Sequence, residues 1–497
     1  MEMNTKSTGK GAVGRNGMNP EKTASYCRHY AMCKIDFLNT GICTSGSEKH
    51  FVSYYPQGRM DLYAALTEGR IPLTEKAVEI AEDCDLCGIC DRQCHFITGM
   101  RPVEVVSALK RYVEKNKDQV TSVESSDPVY DKLAGITGEA WCSKDPAICI
   151  SYANDPSPAT EETIPHYVIL PGNVEEVSAI VKVCRKNGLD FAVRGNGSSV
   201  MGFVMSHDLV IDMARMKQIE LDGEKGLIKA GAGIAAYELQ KAATEKGYRV
   251  QAAEPSALVA ANLMCSGIFS TYSHAYGMGS QNVIDAQFVD TNGNIFRLSE
   301  KTAPNLFAYE KRDVPIPGIC TEVSFKLYPR LPDERGFLVP FYSFDQSLDF
   351  LREIGQRRIG LAAGLLGGEY LATFLSPSTE LAKKVKDVLH NNFGMAYVVQ
   401  MIGDQYDESN IRDMGYPVIS QSVFRTLMFS LPDLQNNEVL LHLNEMMEGA
   451  SVYQMLADEK MKPLIETVLQ PGAHKLAGAV PEDLKSFYAW LYEDPRL

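Results

Sequence analysis

The sequence VRGNGSSVMG at residues 193–202 decides the fold, because it shows where the chain can hold a ligand with its backbone. It overlaps the short apolar run FAV, so it begins where a strand is expected to end. Glycine lets the backbone come close to a ligand and leaves its N–H groups exposed. A single glycine-rich loop is equally compatible with a tight turn, so its meaning depends on the segments around it.

Strand-like and helix-like patterns alternate on both sides of this loop. Short apolar runs such as YVIL, LVIDM and EVSFKLYP have the length and the residue types of strands. Between them, NVEEVSAIVKVCRKNG and AAYELQKAATEKG carry apolar residues at the three- and four-residue spacing that predicts helices. TNG at residues 291–293 predicts a hairpin turn. We therefore predict that this part of the chain belongs to the α+β class.

In their order along the chain, these segments resemble the FAD-binding domain of the vanillyl-alcohol oxidase / p-cresol methylhydroxylase family of flavoproteins. The resemblance rests on the glycine loop, on LPGNVEEV before it, and on KAGAGIAAYEL, YGMGSQN and PIPGICTEV after it. It implies that backbone N–H groups of the loop wrap the pyrophosphate of FAD and that later positions line the rest of the cofactor. The implied cofactor-binding residues are Arg194, Gly195, Asn196, Gly197, Ser198, Ser199, Gly202, Gly277, Ile284, Gly318, Thr321 and Glu322.

Two positions depart from the family pattern. Ser198 stands where the family often has a histidine that bonds covalently to the flavin, so non-covalent FAD is expected. Ala260 and Ala261 stand where the family usually has a pair of glycines, and their methyl groups would narrow the approach to the diphosphate.

A second motif, CDLCGICDRQCHF, occupies residues 84–96 and carries Cys84, Cys87, Cys90 and Cys94. Zinc sites usually pair two C-x2-C units across a longer loop. The spacing here, C-x2-C-x2-C-x3-C, is that of bacterial [4Fe–4S] ferredoxins, with His95 in place of the usual proline. The motif therefore favours a [4Fe–4S] cluster over zinc.

Three more cysteines, Cys27, Cys33 and Cys43, lie upstream of this motif. With them, a segment of about 80 residues resembles the two-cluster domain of glycolate oxidase iron–sulfur subunits and heterodisulfide-reductase-like proteins. The resemblance implies a first cluster on Cys43, Cys84, Cys87 and Cys90. It implies a second cluster on Cys27, Cys33 and Cys94, which lacks one thiolate.

Several interpretations of the incomplete second site stay open at this point. A histidine could supply the missing ligand, and the candidates are His29, His50 and His95. The cluster could instead be [3Fe–4S]. There could also be no second cluster, in which case the upstream cysteines would be core residues.

The bulk composition excludes several classes of protein. The 497 residues include 49 Lys+Arg and 63 Asp+Glu, and the net charge of -14 argues against nucleic acid as a partner. The sequence contains no uncharged apolar run of about 18 residues, so no membrane span is predicted. The first residues lack the apolar stretch of a secretory signal, so we expect a cytoplasmic protein whose clustered cysteines bind metal rather than form disulfides. Oxygen-labile clusters would suit an anaerobic cytoplasm.

The fold class expected for the whole chain is α+β: a helical ferredoxin-like iron–sulfur domain, then a two-subdomain FAD-binding domain, then an α+β cap. The predicted boundaries are a flexible tail at 1–25, the iron–sulfur domain at 26–120, a linker at 121–164, the FAD-binding domain at 165–334, the cap at 335–460 and a helical C-terminal tail at 461–497.

Hydride abstraction from a C–H bond needs a base for the adjacent O–H and a cation for any carboxylate. The candidate catalytic residues are His274, Tyr272, Arg425 and His442. The cap lacks the His-x-Gly-Asp-Gly-x-x-His metal motif that glycolate and D-lactate dehydrogenases often carry. That absence weakens the assignment of a 2-hydroxy acid as substrate.

A flavin accepts two electrons together and an iron–sulfur cluster accepts one, so their fusion predicts a converter between the two. The expected protein is an FAD-dependent dehydrogenase of a small, 2-hydroxy acid-like substrate. It would pass electrons through one or two [4Fe–4S] clusters to a ferredoxin, an electron-transfer flavoprotein or another iron–sulfur subunit, as part of a complex. The alternatives are an enzyme of the same fold with another substrate class, and an electron-transfer subunit without a small substrate.

Overall fold

A computed structural model describes most of the first 421 residues, in two compact units. The described ranges are 19–36, 41–98, 100–123, 126–157, 161–199, 202–253, 255–264, 270, 272–307, 317–341, 343–367 and 397–421. The first unit includes Asn19–Arg330, and the second unit begins at Leu331. None of the helices within these ranges has both the length and the apolar character of a membrane span.

The first unit contains both helices and strands. Its helices are α1 (Pro20–Ser25), α2 (Thr44–Lys49), α3 (Pro56–Thr67), α4 (Glu75–Glu82), α5 (Ile89–Thr98), α6 (Pro102–Lys115), α7 (Pro128–Thr137), α8 (Pro146–Cys149), α9 (Val174–Asn187), α10 (Ala236–Thr244), α11 (Ala261–Met264), α12 (Ser273–Tyr276) and α13 (Pro304–Phe307). Its strands are β1 (Cys142–Ser143), β2 (Tyr167–Ile169), β3 (Phe191–Arg194), β4 (Leu209–Asp212), β5 (Ile219–Asp222), β6 (Leu227–Gly231), β7 (Tyr248–Val250), β8 (Val283–Val289), β9 (Ile295–Ser299) and β10 (Ile319–Pro329).

The first sheet has the order β1-β2-β4-β3, with β2 and β3 parallel to β4. Parallel strands need a crossover, and α9 supplies it between β2 and β3. Asn173 caps the start of α9 by accepting a hydrogen bond from the N–H of Glu176, and Gly188 ends the helix in the left-handed conformation. The glycine loop therefore starts at the carboxyl end of β3, where open α/β sheets usually bind their ligands.

The second sheet is antiparallel, with the order β5-β6-β10-β8-β9 and with β7 also paired to β10. The predicted hairpin turn at residues 291–293 is confirmed, because it joins β8 to β9. Gly293 has φ +79° there, a conformation that favours glycine. The two sheets agree with the predicted α+β class.

The cysteine-containing segment packs into the same core as the first sheet. Its helices α3, α4 and α6 bury apolar residues together with Val168 and Leu170 near β2 and Val210 of β4. A continuous core across the two segments fixes their separation.

Two stretches differ from the sequence-based boundaries. The stretch predicted as a linker, 121–164, forms α7, β1 and α8, and β1 pairs with β2. Several of its apolar residues are buried, among them Leu133 and Tyr152, and the polar composition between them concealed this. The tail predicted at 1–25 ends in α1, where Thr23 and Ala24 are buried. Residues 1–18 lie outside the described part of the chain.

The second unit contains a four-stranded antiparallel sheet. Its elements are β11 (Arg335–Phe341), α14 (Phe344–Arg357), β12 (Ala362–Gly367), β13 (Tyr397–Gly403), α15 (Gln405–Asp413) and β14 (Ile419–Gln421), and the strand order is β12-β13-β11-β14. Phe350 and Ile354 of α14 share its core with Phe337 and Val339 of β11. These elements agree with the α+β character predicted for the cap. The remainder of the predicted cap, and the tail at 461–497, lie outside the described residues.

Candidate functional site

The glycine loop is supported from behind by a fully buried arginine. Arg194 ends β3, and two of its guanidinium nitrogens each donate to the carbonyl oxygen of Asn154 at 3.2 Å. The guanidinium also lies over the ring of Tyr152, 5.4 Å from its centroid. Gly197 has φ +77°, and a Cβ at this position would overlap the guanidinium of Arg194. The predicted ligand residue Arg194 therefore uses its side chain to position the loop.

Two further backbone segments lie beside this loop. The side-chain amide of Asn196 donates to the carbonyl oxygen of Ser256 at 2.6 Å. Leu258 packs so closely against Gly195 that a Cβ there would lie 3.1 Å from the leucine side chain. The N–H of Val259 donates to the carbonyl oxygen of Ile234 at 2.8 Å. Three chain segments thus meet in one wall.

Thr321 extends this wall from β10. Its carbonyl oxygen accepts a hydrogen bond from the N–H of Ala232 at 2.9 Å, and its side chain is fully buried against Gln287. Glu322 follows it in the strand and points to the other face, where it forms an ion pair with Arg297. Successive side chains of a strand alternate between faces, so the structure does not bring Glu322 to the wall with Thr321.

The other predicted flavin positions are dispersed. Gly318 has φ +159°, and a Cβ there would overlap the carbonyl of Val289. Ile284 lies in β8, where its carbonyl accepts from Glu300. Ser198, Ser199 and Gly202 lie in the part of the chain that the structure describes. Their ligand roles stay predictions.

Gly277 belongs to a buried polar cluster around α12. It ends that helix with φ +77°, and its carbonyl accepts from the side-chain amide of Gln251 at 3.2 Å. The same amide donates to the hydroxyl of Ser273 at 2.9 Å. Arg249 lies over the ring of Tyr272, 4.5 Å from its centroid. Sequence reasoning missed Arg249 and Gln251, although two long polar residues within the apolar run YRVQAA are a signal of buried polar function.

This cluster contains two of the four predicted catalytic residues. Tyr272 is buried, whereas the neighbouring His274 is partly exposed. Arg425 and His442 lie outside the described residues. The catalytic roles of all four residues stay predictions.

Four cysteines line one cavity of about 170 Å³ in the cysteine-containing segment, and they are Cys43, Cys84, Cys87 and Cys90. This is the ligand set that the two-cluster resemblance implies for the first cluster. Cys43 precedes α2 and the other three belong to the loop before α5 and its first turn. Arg59, which is buried, donates from its guanidinium to the sulfur of Cys43 at 3.5 Å. The structure thus brings together thiols from two distant parts of the sequence.

Cys27, Cys33 and Cys94 form a second group. Burial raises the pKa of the Cys27 thiol well above its usual value, and the nearby Asp61, Cys33 and Cys94 raise it further. Among the described residues, no three His, Cys, Asp or Glu side chains converge as the ligands of a single metal ion do.

The histidines proposed as the missing ligand have other contacts. The Nε2 atom of His29 lies 2.8 Å from a carboxylate oxygen of Asp61. Burial lowers the pKa of His29, but the carboxylate outweighs burial, and the net shift is upward. The ring of His50 packs against Trp141, 5.6 Å between centroids. The side chain of His95 lies outside the described residues.

The buried hydroxyl of Tyr152 connects the cysteine-containing segment to the first sheet, whose strand β3 leads into the glycine loop. Tyr152 accepts a hydrogen bond from the N–H of Val52 at 3.1 Å and donates to a carboxylate oxygen of Asp212 at 2.9 Å. Val52 precedes α3, and Asp212 ends β4 beside the glycine loop's strand. Burial raises the pKa of Tyr152 strongly, so this hydroxyl stays protonated.

Known proteins are similar to this chain in the region that contains the glycine loop. Residues 165–299 match the FAD-binding domain family. An uncharacterised FAD-linked oxidoreductase of Mycobacterium tuberculosis is 29% identical over 47% of this chain and 52% of its own length. D-Lactate dehydrogenase of Archaeoglobus fulgidus is 23% identical over 39% of this chain and 46% of its own length. The chain therefore spans about half the length of the curated relatives it matches.

A solved structure shows the same fold. Alkyldihydroxyacetonephosphate synthase aligns over 65% of this chain and 64% of its own, with a TM-score of 0.51 and 16% identity. The matched FAD-binding region begins after the cysteine-containing segment. Residues 165–299 are therefore similar to the FAD-binding domain family, in a chain similar to FAD-linked oxidoreductases.

Proposed function

We propose that the protein is an FAD-dependent dehydrogenase that passes electrons singly through an iron–sulfur cluster to a protein acceptor. Residues 194–199, 256–259 and 232–236 would hold FAD, and Cys43, Cys84, Cys87 and Cys90 would hold a [4Fe–4S] cluster. When bound, FAD supplies hydride acceptance and the cluster supplies one-electron transfer. A small organic acid is the proposed donor.

The single observation that carries this proposal is the shared core of the two sites. Helices of the cysteine-containing segment pack in one core with residues near β2 and β4, and Tyr152 hydrogen-bonds to both sides. Two cofactors that exchange electrons need a fixed separation. A rigid connection of this kind would serve such an exchange better than a flexible tether.

The chemistry of the cysteine cavity supports a cluster rather than a single ion. Four thiols line it, and three of them come from the C-x2-C-x2-C spacing that is typical of a [4Fe–4S] cluster. Arg59 places a positive charge beside Cys43, and the N–H of Leu86 donates to the sulfur of Cys84 at 3.4 Å. Hydrogen bonds to the sulfurs are a normal means of tuning a cluster's reduction potential.

The substrate class is supported by similarity and by the polar cluster at α12. The relative named D-lactate dehydrogenase favours a 2-hydroxy acid. His274 is partly exposed, as a base that must reach a substrate hydroxyl would be, and Arg249 is a nearby cation over the ring of Tyr272. In this proposal His274 takes the hydroxyl proton and the buried Tyr272 has a positioning role.

The proposal is tested by anaerobic purification, with iron, sulfide, zinc and FAD counted per chain. We expect one FAD and at least about four iron atoms, and an EPR signal after reduction with dithionite. D-Lactate or glycolate added without oxygen should bleach the flavin absorbance. Zinc without iron would overturn the electron-transfer part. A flavin reduced only by a protein donor would indicate the relay-subunit alternative.

A pair of cysteine variants separates the two cofactors. Cys90→Ala removes a cavity thiol and should lose the cluster iron while keeping FAD and flavin reduction by substrate. Cys184→Ala removes a buried thiol of α9, away from the cavity, and should keep both cofactors. If Cys90→Ala loses FAD as well while Cys184→Ala keeps it, the cavity supports folding and not electron transfer.

A further inference from the structure

The loop from Cys27 to Cys33 has the same backbone design as the loop from Cys84 to Cys90. The end cysteines are the same distance apart in sequence, and Tyr30 stands where the second loop has Cys87. Two residues after the first cysteine the backbone is left-handed in both loops, at His29 (φ 55°) and at Leu86 (φ 60°). Four residues after it the same is true of Ala31 (φ 59°) and Gly88 (φ 82°).

This match is not a routine feature of turns. Non-glycine residues rarely adopt positive φ, and the described residues include five of them. Three of the five, His29, Ala31 and Leu86, lie in these two loops. Alanine has no side chain that could compensate for the strain, so the conformation at Ala31 must be held by its surroundings. The two loops therefore share a left-handed backbone at two equivalent positions between their cysteines.

The lining of the upstream loop contains buried polar groups without partners. The backbone N–H of Gln57 donates a hydrogen bond to the sulfur of Cys33. The side chain of Gln57 is 1% exposed, yet neither of its amide atoms has a hydrogen-bond partner among the described residues. One helical turn later, the Oδ2 atom of Asp61 is also buried without a partner among them. Such groups are rare unless something else contacts them.

We propose that Cys27, Cys33 and Cys94 hold a second iron–sulfur cluster of the [3Fe–4S] type, whose missing corner lies at Tyr30. This inference rests on the proposed iron–sulfur function. Each of the three thiolates would bind one iron. The corner that Cys87 completes in the downstream loop has no thiolate here, so no fourth iron is retained.

Exposure explains why no other residue fills that corner. Cys87 is exposed, and Tyr30 is 51% exposed, so the corner between the flanking cysteines faces solvent in both loops. His29 lies 2.8 Å from a carboxylate oxygen of Asp61, and the two side chains are only 13% and 9% exposed. A buried group cannot complete an exposed corner without rearranging the loop.

The decisive experiment counts iron and records EPR on the oxidised protein purified without oxygen. An oxidised three-iron cluster is paramagnetic, whereas an oxidised four-iron cluster is EPR-silent. The full chain should contain about seven iron atoms and about eight sulfides, the sum for a four-iron and a three-iron cluster. It should give an EPR signal before any reductant is added.

Three variants locate that signal. Tyr30→Cys supplies the missing thiolate, so iron should rise to about eight atoms per chain and the oxidised signal should disappear. Tyr30→Phe removes only the phenol oxygen and should leave both values unchanged, which excludes ligation by the tyrosine. Cys27→Ala should lower iron to about four atoms and abolish the oxidised signal, with FAD retained.

The outcomes separate this inference from the proposed function. About four iron atoms in both the wild type and Tyr30→Cys would show that no second cluster exists, with the first cluster intact. About eight iron atoms in the wild type, without an oxidised signal, would show a fourth ligand and overturn the open corner. Absence of iron from every variant would overturn the proposed iron–sulfur function itself.

Discussion

The flavin loop and the cysteine-containing segment would hold their proposed cofactors in opposite ways. The flavin loop is built from backbone, with Gly197 in a left-handed conformation against the buried Arg194. The cysteine cavity is built from side chains, and Cys43 completes it from a distant part of the sequence. A backbone site is recognised by the order of several motifs along the chain. A side-chain site is recognised by residue type, but its full membership depends on the fold.

The largest effect is expected from Gly197→Ala, which attacks the backbone site alone. The new Cβ would overlap the guanidinium of Arg194, and alanine would also be strained at φ +77°. We expect FAD affinity to fall about 100-fold, or roughly 3 kcal/mol, with the iron content unchanged. Titration of the apoprotein with FAD, followed by flavin fluorescence, measures the first quantity, and iron analysis measures the second.

Gly188→Ala is the matched control for that variant. Gly188 has φ +66°, but a Cβ added there would meet no atom within 4 Å beyond its chain neighbours, so only the backbone strain is shared. We expect about 1 kcal/mol of lost stability and normal FAD affinity. Equal loss of FAD in both variants would show that strain alone, and not the contact with Arg194, governs the loop.

An intermediate effect is expected from Tyr152→Phe, which removes the hydrogen bonds that link the two regions but leaves their common core. Without the hydroxyl, the N–H of Val52 and the carboxylate of Asp212 lose a buried partner. The free energy of unfolding should fall by about 2 kcal/mol. Urea unfolding should still show one transition, with flavin fluorescence and cluster absorbance changing together. Tyr167→Phe, whose hydroxyl bonds to Asp127 in a half-buried setting, should cost less.

If the two signals separate in Tyr152→Phe but coincide in the wild type, Tyr152 is the main coupling between the regions. If they separate in the wild type, the common core does not make them one cooperative unit. The second result would remove the rigid connection on which the proposed electron transfer depends.

Much of this contrast could be predicted from sequence, because local chemistry determines it. The glycine loop, the hairpin at residues 291–293 and the grouping of Cys43 with Cys84 all follow from spacing or from a family pattern. Glu322 could not be placed, because its face depends on the phase of β10 in the sheet. Arg59 could not be found either, because the burial that makes a polar side chain informative arises from packing between distant segments.

The stretch at 121–164 differs from the predicted linker for a related reason. Linkers and capped short helices share a polar composition, and burial distinguishes them. Here Asp127 and Asp145 accept hydrogen bonds from the first N–H groups of α7 and α8. The same residue types that predict a loop also begin a helix, so the sequence alone left both interpretations available.

The smallest effect is expected from Asp127→Ala, which tests whether this stretch supports the flavin side. One carboxylate oxygen accepts from the N–H groups of Val129 and Tyr130 at 3.0 Å each, and the other accepts from the hydroxyl of Tyr167 in β2 at 3.0 Å. Loss of this cap should lower the free energy of unfolding by about 1 kcal/mol. Asp131→Ala, at an exposed position in the same first turn, should change it by less than about 0.5 kcal/mol.

The pH dependence of the Asp127→Ala effect distinguishes a cap from a nonspecific loss. Partial burial raises the pKa of Asp127, but its hydrogen bonds outweigh burial and lower the pKa below 3.8. A carboxyl whose pKa is lower in the folded state stabilises the fold fully above its unfolded pKa, and the contribution is lost as the pH falls through the folded pKa. The difference between wild type and variant in urea unfolding should therefore be constant from neutral pH down to about pH 5 and shrink below about pH 4. If the difference persists undiminished at low pH, the side chain of Asp127 acts through packing. If there is no difference at any pH, the cap does not stabilise the fold, and 121–164 behaves as the predicted linker.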